Sequence, residues 1–140
     1  MAVELGIETV CNFFDQTSAK SIKNINGSPD VIIARHCFAH NANPHDLMKG
    51  VVELLPQNGK LVIENAYALN TIKKNEFDQI YHEHMFYYSI RSMSALLDIH
   101  NLQLIDVLTS LVHGGSIIFI AAHKSINNRI SESVLQHLTN

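Results

Sequence analysis

The side chains best equipped for chemistry in this chain of 140 residues stand together at Tyr81-His82-Glu83-His84, followed at once by Phe86-Tyr87-Tyr88. A carboxylate beside an imidazole suits acid–base work. Glu83 next to His84 stabilises the imidazolium and holds the tautomer that leaves the other ring nitrogen free to take a proton, and Tyr81 can donate to a developing oxyanion. Histidines two apart share a side only on an extended strand and diverge by about 200° on a helix, so the pairing of histidines at i and i+4 used by zinc proteases is unavailable to His82 and His84. A polar helix end explains the same four residues without catalysis, and the residues alone leave the two readings level.

Three further stretches carry candidates. His40, in Ala39-His40-Asn41, follows an apolar run, although a lone histidine in such a place is more often a cap or a packing residue. His113-Gly114-Gly115-Ser116 pairs glycines that tolerate positive φ and close approach of a ligand, but in a hairpin the tight turn itself is the first explanation of them. Phe13-Phe14, after Asn12, can wall an adenine pocket, although two phenylalanines at a strand end more often belong to the core. No glycine-rich phosphate loop occurs in the sequence.

Composition narrows the classes. Ten Lys+Arg against 13 Asp+Glu give a net charge of −3, too acidic to track a nucleic-acid backbone. Hydrophobic residues at 46% and charged residues at 16% describe a folded domain, with length for one core. Cys11 and Cys37 cannot build a disulfide framework, no apolar stretch is long enough to span a bilayer, and the first residues lack the basic-then-apolar order of a signal peptide, so the expected setting is the cytoplasm, away from membranes. Nine histidines are the one oddity.

The elements that must position these residues alternate. Residues 31–34 (VIIA) and 60–64 (KLVIE) read as buried parallel strands, and residues 44–55 between them set Leu47, Val51, Leu54 and Leu55 on one helical face behind Pro44. Residues 8–13 predict a further strand and 17–25 a crossover helix. Residues 73–80 and 89–100 predict helices, and 102–108 and 116–122 predict strands that the short link at His113 forces to be antiparallel. The tail, 124–140, is polar with a weak helical pattern in Ile130, Val134 and Leu138. The expectation is an α/β sheet, mostly parallel, with a terminal antiparallel hairpin and with ligands outside the carboxyl ends of the strands.

On GIETVCNFF, DVIIARHCFAH, FDQIYHEHMFYYS and HGGS, the chain resembles the S-adenosylmethionine-dependent sugar C-methyltransferases, in order and spacing, over residues 5–123. FDQIYHEH with its aromatics is the specific part. The resemblance implies the second half of a Rossmann-like class I methyltransferase sheet: residues 1–123 as a partial methyltransferase domain without the glycine-loop βαβ unit, and 124–140 as the start of a C-terminal domain. It implies S-adenosylmethionine as cofactor, a nucleotide-linked 4-keto deoxysugar as substrate, Tyr81, Glu83, His84 and His40 as catalytic residues with no metal, and His84 as the base. It places Asn12, Phe13, Ala34 and Arg35 at the cofactor and His113, Gly114 and Gly115 at the substrate. In these enzymes a cysteine-rich zinc segment and a glycine loop precede the matched region, and an arginine often stands at the position of Ile118. An exposed apolar flank near residues 10–13 and 31–34 is therefore expected, open to self-association or to a complementary chain. The competing expectations are an inert fragment or interaction subunit and, ranked last because the histidines are scattered, a small metal-binding domain.

Overall fold

The computed structural model describes residues 2–111, 115–125 and 127–139. Four strands, β1 (Val31–Arg35), β2 (Lys60–Ala66), β3 (Leu102–Ser110) and β4 (Ser116–His123), form one sheet in the order β1-β2-β4-β3. β1 and β2 are parallel neighbours, Ile33 opposite Val62, whereas β4 runs antiparallel to both β2 and β3. Three of the four strands thus point the same way, and β4 alone is reversed.

Helix α2 (Pro44–Leu54) makes the crossover from β1 to β2, with Pro44 in its first turn and the Asn43 side chain accepting the Asp46 amide. Helix α1 (Gln16–Asn26) begins with a reciprocal box between Asp15 and Ser18 and packs beside α2. Gly50 permits that approach, because a Cβ there would lie 2.7 Å from the backbone oxygen of Asp15. A short helix, α3 (Ala68–Lys73), follows β2, and α4 (Ile90–Ile99), opened by a Ser89–Ser92 capping box, leads into β3. Helix α5 (Glu132–Thr139) docks on β3 and α4 through the fully buried Val134.

Burial alternates along β2, and its inward residues Leu61 and Ile63 join Phe38, Met48, Val51, Met93, Leu97 and Phe119 in the core. The opposite face carries Ile33, Val62 and Ile120 in register, with Ile33 69% exposed. β1 pairs on one side only among the described residues, which leaves an apolar, half-paired flank.

Two expectations change. Residues 8–13 are irregular, with a bend at Asn12, and not a strand: the β-branched pattern favours an extended chain, but a ladder needs a neighbour, and none of the described strands supplies one. Residues 73–80 are not one helix. α3 stops at Lys73, Asn75 takes a left-handed φ of 53°, and only a 3-10 turn, Phe77–Gln79, follows. Phe77 and Ile80 are exposed, so no packed face repays a longer helix.

Candidate functional site

The carboxyl end of β1 runs into a 3-10 turn, Phe38–His40, anchored by the fully buried Phe38. The Ala39 carbonyl accepts from the amides of Met85 and Phe86, at 3.0 and 3.3 Å. Those two bonds pin the YHEH segment to the turn and bring His40 and His84, far apart in the chain, to a ring separation of 4.9 Å.

His84 is the centre of the cluster. Its Nδ1 lies 2.9 Å from the Gln79 carbonyl and its Nε2 2.9 Å from the Tyr81 hydroxyl. A carbonyl only accepts, so neutral His84 carries its proton on Nδ1 and offers the Nε2 lone pair, into which Tyr81 donates. The Tyr87 hydroxyl also donates to the Gln79 carbonyl, at 3.0 Å, and its ring meets His84 edge-on. Tyr88 differs: burial pushes its phenol up to about 12, and it stays protonated as a wall against Phe38.

Glu83 does not do what its place in the sequence predicts. Its carboxylate turns to solvent and lies 3.9 Å from Nε2 of His82, itself 90% exposed, and the backbone carbonyl of Gln79 sets the His84 tautomer instead. The reason is local: His84 follows a turn closed by its own amide on the Tyr81 carbonyl, which sends neighbouring side chains apart. Among the described residues no three His, Cys, Asp or Glu side chains gather to hold a metal, and no helix is long and apolar enough to cross a membrane.

Beside His40 opens a cleft of about 660 Å³ whose lining includes Asn12, Phe13, Phe14, Asn41 and Asp46. The volume is that of a small-molecule site. Exposed Phe13 offers a face for a flat heterocycle, and the amides of Asn12 and Asn41 and the carboxylate of Asp46 offer both donors and acceptors, a set of groups that fits a cofactor made of a base, a ribose and an amino acid without phosphate. Ala34 and Arg35 do not line it. Ala34 packs against the core, and Arg35 Nε is held 2.8 Å from Glu64 Oε2 on the adjacent strand. Phe14 lines it with Phe13, as expected; Cys37 and Asp46 line it without having been singled out, and the signal available was that Cys37 stands two residues beyond the end of β1.

The substrate-side expectation falls on His113, Gly114 and Gly115. The first two lie outside the described residues. Gly115 has φ +128°, and Asn70 and Lys74 of the α3 region crowd the position its Cβ would take.

Comparison with known proteins follows the same lines. The methyltransferase-domain family matches residues 2–107. C-methyltransferase NovU of Streptomyces niveus is 34% identical over 138 residues, which is 99% of this chain and 33% of that protein. The chain therefore spans about a third of the length of that relative. A S-adenosylmethionine-dependent methyltransferase from Anabaena variabilis superposes with a TM-score of 0.62 at 11% identity, over 84% of this chain and 58% of that one. The magnesium protoporphyrin IX methyltransferase of Synechocystis, solved with bound S-adenosylhomocysteine, gives 0.52 at 13% identity, over 74% of this chain and 48% of that one. The fold is that of the class I methyltransferases. By the extent of the match, this chain belongs to the methyltransferase-domain family, whose cofactor is S-adenosylmethionine.

Proposed function

We propose that the chain carries the proton-transfer site of a C-methyltransferase that alkylates the carbon next to the ketone of a nucleotide-linked deoxysugar. The observation that carries this reading is His84, whose proton sits on the Gln79 side and whose lone pair meets Tyr81. A proton α to a carbonyl needs a base and a donor for the enolate oxygen, and this pair contains both. When the substrate C–H displaces the Tyr81 hydroxyl from Nε2, His84 takes the carbon proton and the released hydroxyl donates to the enolate oxygen. When bound, the cofactor would supply an electrophilic methyl on sulfur as the acceptor for the enolate carbon. His40 packs its ring beside His84 and fixes the plane of the base. Glu83 enters by resemblance only, since its carboxylate faces solvent. Asn12 and Phe13 hold the cofactor's base on the cleft beside His40, while Ala34 and Arg35 enter by resemblance only, since neither lines that cleft.

The test needs no methyl donor. The chain is incubated in heavy water with a nucleotide-linked 4-keto sugar, and loss of the proton next to the ketone is followed by NMR. Wild-type protein exchanges it, and His84→Asn slows the exchange by a factor on the order of 10²–10⁴. If His84→Asn exchanges normally while Tyr81→Phe does not, the tyrosine is the base. If both exchange normally, or the wild type not at all, the catalytic reading is wrong.

A second reading rests on the open flank. Phe13, on the wall of the cleft, is 94% exposed, and Ile33, on the unpaired flank of β1, 69%. On this reading cofactor binding needs a second copy or a complementary chain packed along β1. Proton exchange then proceeds with the chain alone, while methyl transfer appears only on complementation.

A further inference from the structure

The residues over Gly115 are not accounted for by proton transfer. β2 ends at Ala66, opposite Ser116, the first residue of β4. The chain then turns through Tyr67, which bridges to Tyr88, into α3. Asn70 and Lys74 stand four apart and so share a side of this turn of helix. A Cβ placed on Gly115 would lie 2.7 Å from Asn70 Nδ2 and 3.3 Å from Lys74 Nζ. Both groups are donors at these atoms, one an amide and one a cation. Glu76 Oε1 stands 3.5 Å from Lys74 Nζ and keeps the ammonium at the turn. Gly115 has φ +128°, a conformation L side chains rarely adopt, and a Cβ there would clash with Asn70 Nδ2 and crowd Lys74 Nζ, so the bare glycine lets both groups come up to the backbone. The place is the carboxyl edge of the sheet, the edge on which the Phe38–His40 turn follows β1 and where ligands of open α/β sheets bind.

A cation and an amide donor converging on bare backbone match anionic oxygen, and lysine binds phosphate as a point charge. Resting on the proposed nucleotide-linked substrate, we propose that Asn70 and Lys74, with Gly115, form the subsite for its diphosphate. Nothing in this role calls on His84. Diphosphate held here would tether the substrate from its unreactive end, leaving the sugar to be placed at the His84–Tyr81 pair.

Binding of uridine diphosphate, uridine and inorganic pyrophosphate to the full chain, followed by calorimetry at two salt concentrations, tests this. Uridine diphosphate and pyrophosphate should bind in a salt-sensitive way and uridine more weakly. Lys74→Met should weaken both diphosphate ligands about tenfold, the worth of one charge-assisted contact, and leave uridine unchanged, while Lys74→Arg retains most of the affinity. Gly115→Ala should weaken the same two ligands. Unchanged uridine diphosphate affinity in both Lys74→Met and Asn70→Ala, or no saturable binding to the wild type, overturns the subsite. His84→Asn separates the two readings, because it should slow proton exchange by a factor on the order of 10²–10⁴ yet keep uridine diphosphate affinity. Tight diphosphate binding by a protein that exchanges no proton would sink the catalytic reading and keep this one.

Discussion

Two histidine pairs in this molecule look alike and are built differently. His40 and His84 meet on a short turn and a loop, with rings 4.9 Å apart, and each nitrogen of His84 has a partner other than histidine. His45 and His100 meet between helix termini, His45 in the first turn of α2 and His100 capping α4, with Nδ1 and Nε2 3.0 Å apart. In the second pair the two rings share one proton, and the partial burial of His100, then the nearby His45 and Lys49, hold its imidazole below its usual value. The pair on loops has a defined tautomer and a lone pair aimed at a hydroxyl, whereas the pair on helices holds two elements together and is disfavoured as a cation. Proximity of histidines alone says little. What each free nitrogen faces decides between chemistry and packing.

The largest expected effect sets the pairs apart directly. His84→Asn should cut proton exchange by a factor on the order of 10²–10⁴ while His100→Asn leaves it within about twofold, and equal losses would dissolve the distinction. Next comes the platform of the second pair. Gly50→Ala drives a Cβ into the Asp15 backbone, 2.7 Å away, and should destabilise the fold by about 1–3 kcal/mol in urea titration, with exchange by the folded fraction unchanged. Ser89→Ala removes the capping box of α4, the helix that ends at His100, and should cost about 1 kcal/mol by the same measurement.

The smallest effect concerns pH. The folded-state value of His100 lies below that of the unfolded chain, so the unfolded state binds the proton more readily. Above the ordinary histidine value of about 6.5 both states are neutral and the residue is indifferent, while below it stability falls. Melting temperature followed from pH 7 downward should therefore drop less steeply in His100→Asn than in the wild type. A parallel drop in the two would remove His100 as the cause.

Much of the scaffold was legible because its signals are local. The VIIA and KLVIE runs, the Pro44-led amphipathic helix and the two runs that form the antiparallel pair β3 and β4 each carry a signal within a few residues, and the structure has all of them. The strand expected at 8–13 and the helix expected at 73–80 do not form, for one shared reason. Each has local propensity, but a ladder needs a neighbour and a helix needs a surface to pack on, and neither is encoded within the segment.

The candidate site divides in the same way. Tyr81 and His84, three residues apart across one turn, could be paired from the sequence. The His40–His84 contact depends on two amide bonds to the Ala39 carbonyl, and the tautomer on the Gln79 carbonyl. Backbone carbonyls are the same in every residue, so composition and spacing cannot reveal which of them will accept. By itself the sequence determined the kinds of groups available and the short elements that carry them. Tertiary structure decided which groups meet, turning Glu83 outward, tying Arg35 to Glu64 and setting Asn70 and Lys74 over Gly115, because those outcomes depend on contacts between elements far apart in the chain.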